Sequence, residues 1–149
     1  MILLAVLVFA AAALILKTVK NASTQVLSWS EAVEAVSSEP VKNVQPSLSV
    51  PTQITKIGDD YFLVDCYHNQ VIYNENLTDP LYEWRIMASG LGMPHTLASD
   101  GFVYLIDDTE NNRVLVMEEG VNENGQSVFL PTQEFTEIGD RPHYIVYDE

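Results

Sequence analysis

Along residues 51–149 the apolar positions come in short runs set between clusters of Gly, Asp and Asn. Residues 61–64 (Tyr-Phe-Leu-Val), 71–73 (Val-Ile-Tyr), 102–106 (Phe-Val-Tyr-Leu-Ile) and 113–117 (Arg-Val-Leu-Val-Met) carry this pattern. Runs this short, rich in β-branched and aromatic residues and bounded by turn formers, predict strands rather than helices. Gly58-Asp59-Asp60 and Ser99-Asp100-Gly101 supply turns before two of these strands, where Gly gives the backbone its freedom. Asp65-Cys66-Tyr67-His68-Asn69 and Asp108-Thr109-Glu110-Asn111-Asn112 supply the turns after them, with Asp and Asn side chains expected to bond local backbone. Residues 81–86 (Leu-Tyr-Glu-Trp-Arg-Ile) and 132–138 (Thr-Gln-Glu-Phe-Thr-Glu-Ile) alternate in polarity, which predicts half-exposed outer strands.

The pattern repeats. Residues 51–73 lie over residues 94–116 with a shift of 43 and no gap, and six of the 23 positions are identical: Pro51/Pro94, Gly58/Gly101, Tyr61/Tyr104, Asp65/Asp108, Asn69/Asn112 and Val71/Val114. Ile54/Leu97, Phe62/Leu105, Leu63/Ile106 and Ile72/Leu115 keep apolar character. A third copy opens at Pro142-His143-Tyr144-Ile145-Val146-Tyr147-Asp148, 48 residues after Pro94. A period in the low forties, built from short strands at four per period, is the signature of β-propeller blades. The predicted fold is therefore all-β, an incomplete β-propeller of four-stranded blades. Such rings close with about four to eight blades, whereas residues 51–149 hold two and the start of a third. The expectation is a truncated gene product, against assembly with other chains or a small open array of sheets.

Residues 1–50 read differently. Residues 1–16 are sixteen uninterrupted apolar residues, which as a helix at ~1.5 Å per residue reach about 24 Å, against a hydrocarbon core of ~30 Å. Lys17 and Lys20 can snorkel to extend that reach. There is no basic n-region ahead of the run, and Leu14-Ile15-Leu16 follow the small residues Ala11-Ala12-Ala13. An uncleaved membrane anchor over residues 1–20 is preferred to a cleaved signal segment. Residues 21–50 are a linker holding one short helix, with Ser28 and Glu31 as a capping box and Pro40 ending it. The remainder of the linker is an extended tether by composition.

Charge falls on one side of that division. Lysines and glutamates balance in residues 1–50, so the net charge of −14 belongs to residues 51–149, where 18 acidic groups face Lys56, Arg85, Arg113 and Arg141. So negative a surface repels phosphate backbones and argues against nucleic-acid binding. Cys66 is the one cysteine, which excludes an intrachain disulfide and a thiolate zinc cluster. Neither a Ser-His-Asp arrangement nor a glycine-rich phosphate loop is present.

Residues 92–117 resemble an NHL repeat: a proline, an apolar strand, Asp-Gly, an apolar strand with Tyr104, then Asp108 and Asn112-Arg113-Val114. Residues 51–73 resemble it more loosely, with Gln70 in place of the arginine and Asp59 after Gly58. The resemblance implies a propeller acting as a binding or interaction module for a protein or small-molecule ligand it does not identify. The apolar run of residues 1–16 separately predicts a membrane anchor over residues 1–20, with the blades expected outside the cytoplasm. A competing reading comes from His95 and His143, which follow proline at the same position of successive repeats, with Thr52 at that place in the first. Pro94-His95-Thr96-Leu97-Ala98 is similar to a Pro-His-Ser-Leu segment of the lyase domain of peptidylglycine-amidating enzymes, an NHL-like propeller with channel-facing histidines on zinc. That similarity implies His95 and His143 as metal ligands in a metal-dependent lyase or hydrolase. A catalytic zinc normally takes three protein ligands, and two are in hand here. The plainer alternative is that each Pro-His starts a strand, with the imidazole bonded to a neighbouring blade. Calcium is the other candidate ion, from Asp107, Asp108 and Glu110, although Asp108 matches Asp65 as a turn residue. His68 is expected at the surface, and Trp84 and the tyrosines in the cores.

Overall fold

A computed structural model describes residues 40–148 and, for the backbone, Thr24 and Gln25. The described residues are all-β, with two four-stranded antiparallel sheets that follow one another along the chain. Strand β1 (Thr24–Gln25) is a two-residue piece discussed with the second sheet. The first sheet runs β2 (Pro51–Ile57), β3 (Asp60–Asp65), β4 (Gln70–Asn74) and β5 (Arg85–Ser89), each strand beside the next. The second runs β6 (Leu97–Ser99), β7 (Val103–Asp108), β8 (Arg113–Val121) and β9 (Ser127–Phe135), with β1 added outside β9. Among the described residues no helix is long and apolar enough to cross a membrane. The apolar run of residues 1–16 and the short helix expected across residues 28–39 lie outside the described residues.

The 43-residue shift in sequence is also a shift in structure. β3 maps onto β7, and the one-turn 3-10 segment Cys66–His68 maps onto Thr109–Asn111. Each 3-10 turn ends on a left-handed asparagine, Asn69 at φ 56°, ψ 41° and Asn112 at φ 54°, ψ 41°. Asn is among the few side chains that tolerate this conformation, so the Asp-x-x-x-Asn spacing dictates a reversal at both places. Earlier in each repeat a positive φ falls on Gly58 (60°) and Gly101 (94°), where a Cβ would be strained. A third mark of the repeat is the residue before each opening proline: Val50, Met93 and Arg141 all take left-handed φ, at 56°, 51° and 49°.

Alternation along the strands sorts side chains to two faces. Phe62, Val64, Val71, Tyr73 and Met87 of the first sheet meet Leu97, Tyr104, Ile106 and Met117 of the second in one apolar core. Phe129 sets its edge against Phe62, Tyr73 and Tyr104 at 5.7, 4.9 and 5.0 Å between centroids. Each buried ring of this kind contributes roughly 1.5–3 kcal/mol of transfer free energy. The opposite face of the first sheet buries Leu63, Ile72 and Trp84 beneath Leu48 and Leu81. Here the stretch expected as a tether lies on the sheet. Asn43, 2% exposed, donates its N–H to the Trp84 carbonyl at 2.8 Å, and Ile86 N donates to the Val41 carbonyl at 2.6 Å.

The outer strands depart from the alternation reading. The stretch 81–86 is strand only at its end: Leu81–Glu83 form a 3-10 turn after Pro80, and β5 begins at Arg85. Trp84 explains the shift, because its ring is buried in the outer-face core and its Nε1 donates to the Asp79 carbonyl at 3.1 Å. Leu81 and Trp84 thus share a face by turn geometry, not by strand pleat. In the second sheet β9 begins earlier than expected, at Ser127, and stops at Phe135. Its register comes from the tight reversal after β8, where the Asn122 side chain accepts N–H bonds from Asn124 and Gln126.

Candidate functional site

Two sets of hydrogen bonds tie each repeat to the next, a third closes each repeat on its own opening segment, and together they hold the candidate site. Asp65, at the end of β3, accepts the Ser49 N–H at 2.7 Å, and Asp108, at the end of β7, accepts the Gly92 N–H. Asn69 accepts the Met93 N–H at 3.1 Å, and Asn112 the Arg141 N–H at 2.9 Å. Leu97 N donates to the Gln53 side chain, and Ile145 N to the Thr96 hydroxyl at 3.0 Å. These Asp and Asn residues were expected to bond local backbone, whereas the Asp side chains reach sixteen residues back to the opening of their own repeat and the Asn side chains reach the next repeat. A local Asx turn forms at Asp100, whose Oδ1 accepts N–H bonds from Val103 and Phe102 at 2.8 and 2.9 Å. Those bonds favour the carboxylate and hold Asp100 below its ordinary pKa.

The structure brings His95 and His143 together. Their rings meet edge to face with centroids 4.3 Å apart, His95 half-buried and His143 exposed. His95 precedes β6 by two residues and is held by its backbone: its N–H and that of Thr96 both reach Asp107 Oδ1, at 2.8 and 2.7 Å. Thr109 donates its single hydroxyl proton to the Pro142 carbonyl at 2.6 Å, so at 3.2 Å from His95 Nδ1 its oxygen is the acceptor. That assignment puts the proton of neutral His95 on Nδ1 and leaves the Nε2 lone pair facing Cys66 Sγ, 3.9 Å away. Thr52, the counterpart of the two histidines, is exposed in β2 and takes no part.

Two acidic or weakly acidic groups border the pair. Asp107 is fully buried, and its Oδ2 has no hydrogen-bond partner. Burial pushes its carboxyl up, against the N–H bonds from Thr96 and His95 and the nearness of both histidines, which favour the charge. Burial also raises the Cys66 thiol, helped by Asp107, Asp65 and Glu110, so this cysteine is a thiol at neutral pH. Among the described residues no group of three or more His, Cys, Asp and Glu is placed to hold a metal ion. The acidic trio considered for calcium diverges: Asp108 is taken up by Gly92, Asn111 and Arg113, Asp107 turns to the His95 backbone, and Glu110 is exposed.

The motif arginine has a structural role. Arg113 Nε lies 2.6 Å from Asp108 Oδ2 and Nη1 lies 2.6 Å from Glu134 Oε2, so the turn is tied to β9. Burial weighs against its charge, but the bonds to Asp108 and Glu134 outweigh it. In the first repeat Gln70 takes the same place, donating to Asp65 Oδ2 at 3.3 Å. His68, expected at the surface, is half-buried with its Nδ1 2.6 Å from Asp65 Oδ2, the oxygen that Gln70 also bonds. Cys66 and Thr109 are members of the site that the sequence did not join to the histidines, and Asp107, weighed there only for calcium, is a third. The alignment of Cys66 with Thr109 hinted at a common position, but the contact to His95 runs between repeats.

A separate cleft of about 220 Å3 opens on the far face of the second sheet, lined by Ala98, Val103 and Leu105 on one side and Val146 and Tyr147 on the other. In comparisons with known proteins, no family model, curated protein or solved structure matches the chain.

Proposed function

We propose that this chain is a partial NHL-type β-propeller, a binding or interaction module carried at a membrane by residues 1–20 with its sheets on the extracytoplasmic side. The observation that carries the reading is the recurrence of one linkage at successive repeats: left-handed residue before proline, asparagine from the preceding repeat on its N–H, and a third-position side chain on the fourth-position N–H. A linkage that repeats in one sense stacks sheets like blades, and stacked blades present loops and strand ends to a partner. The charge of −14 favours a basic or neutral partner over nucleic acid.

A second reading has one observation in its favour. The His95 and His143 ring centroids lie 4.3 Å apart, the Nε2 of His95 has only the thiol of Cys66 against it, and Asp107, whose N–H partners include His95, keeps one oxygen without a partner. Those groups suit a metal ion, zinc before calcium given the nitrogen donors, in a lyase or hydrolase. Metal analysis of the purified chain separates the two readings. The module reading predicts substoichiometric zinc and calcium that do not change in His95→Ala or His143→Ala. One equivalent of zinc per chain, lost in either variant, overturns it in favour of the enzyme.

A further inference from the structure

The turn between β4 and β5 carries a motif that the 43-residue repeat does not account for. Asn76-Leu77-Thr78 has the Asn-x-Ser/Thr spacing, and of the asparagines in residues 40–148 only Asn76 has a hydroxyl residue two positions on. The turn is held firmly from below. Asn74, 8% exposed, donates its Nδ2 to the Asn76 carbonyl at 3.0 Å and to Asp79 Oδ2 at 2.9 Å, and the buried Trp84 ring donates to the Asp79 carbonyl. Both anchors are buried side chains at the root of the turn. Asp79 N closes it on the Asn76 carbonyl at 3.3 Å. With the backbone so held, the tip faces solvent: Asn76, Leu77 and Thr78 are all exposed, Leu77 at 48% although it is apolar. Within the tip, Asn76 Oδ1 accepts from the Thr78 hydroxyl at 2.9 Å and from the Thr78 N–H at 3.2 Å. Its Nδ2 donates one proton to Asp79 Oδ1 at 2.7 Å. A carboxamide nitrogen carries two protons, and the second has no partner among the described residues.

We propose that Asn76 is the acceptor of an N-linked glycan, delivered by a transferase from a lipid-diphosphate-linked oligosaccharide. This rests on the extracytoplasmic placement proposed above, since the Asn-x-Ser/Thr acceptor belongs to surface loops of exported chains. Thr78 supplies the hydroxyl that the spacing demands. In the transfer, Nδ2 bonds to C1 of the first sugar as the C1–O bond to the diphosphate breaks. The lipid diphosphate leaves, and the displaced Nδ2 proton passes to the transferase. The product is a secondary amide with one N–H and its carbonyl intact. That leaves a proton for Asp79 Oδ1 and an acceptor for Thr78, so the turn keeps its own hydrogen bonds after modification. The apolar core that joins the two sheets contains none of residues 75–80, so the added bulk displaces nothing there.

The full chain is produced in cultured mammalian cells in an Asn21→Gln background, which removes the other match, Asn21-Ala22-Ser23. A C-terminal spacer ending in Asn-Gly-Thr is added as a control acceptor. Glycan number is read from gel mobility before and after peptide N-glycosidase, and position from mass spectrometry of the Asn-to-Asp conversion that this enzyme leaves. Two glycans are expected, falling to one in Asn76→Gln and in Thr78→Ala and returning to two in Thr78→Ser. A glycosylated control beside a bare Asn76 overturns the inference and leaves the extracytoplasmic placement standing. Glycosylation of Asn76 that Thr78→Ala does not diminish overturns it as well. Both acceptors bare refutes the placement and, with it, this inference.

Discussion

Asp108 is the residue whose removal tests most directly the clamp that closes a repeat on its opening segment. It is fully buried, and its two oxygens accept from the Gly92 N–H, from Asn111 Nδ2 at 2.9 Å and from Arg113 Nε at 2.6 Å. Asp108→Ala strands the Gly92 N–H and deprives Arg113 of one of its two carboxylates. Breaking a buried ion pair by removing one partner costs about 3–5 kcal/mol. Arg113 is 31% exposed and keeps Glu134, which returns part of that. The working figure is therefore the lower end, about 3 kcal/mol. Arg113→Gln should cost much less, about 1 kcal/mol, the scale of one ordinary hydrogen bond, because Gln70 already serves that position in the first repeat. Urea unfolding followed by far-ultraviolet circular dichroism gives both values from midpoint shifts at constant slope. Equal losses for the two variants, or a loss under about 1 kcal/mol for Asp108→Ala, would show that the carboxylate does not hold the turn to the opening of its repeat.

Two further outcomes follow from local environments. Asp100 has its carboxylate favoured by the Phe102 and Val103 N–H groups, so its folded pKa lies below the ordinary 3.8. Its contribution to stability is then complete above that value and disappears as pH falls through the lowered one. Asp100→Asn should flatten the acid limb of the stability curve, and an unchanged limb below pH 3.8 refutes the assignment. Cys66 is 1% exposed, so a thiol reagent such as Ellman's should modify the native protein far more slowly than the urea-unfolded chain. Equal rates would mean that the turn after β3 opens freely.

What was legible in the sequence is whatever a short stretch decides by itself. Gly58, Gly101, Asn69 and Asn112 mark left-handed backbone because few residues adopt it, and the turns stand where those residues stand. The runs 61–64 and 113–117 are strands because their apolar and β-branched side chains suit a pleated, buried surface. The outer strands were misplaced because a half-exposed alternation has no local anchor: Trp84 and its bond to Asp79 shifted one, and the reversal at Asn122 shifted the other. His68, expected at the surface, is half-buried because its Nδ1 is drawn to the Asp65 carboxylate.

The sequence by itself determined the all-β class, the 43-residue period and the positions at which His95 and His143 recur, since each depends on local backbone preference or on spacing. Only the tertiary structure decided what those recurring positions touch. Asn69 and Asn112 hold the N–H groups of Met93 and Arg141, Gln53 and Thr96 hold those of Leu97 and Ile145, and His95 faces Cys66 of the preceding repeat. These are contacts between repeats, and the geometry of stacking, which no single stretch encodes, brings them within bonding distance.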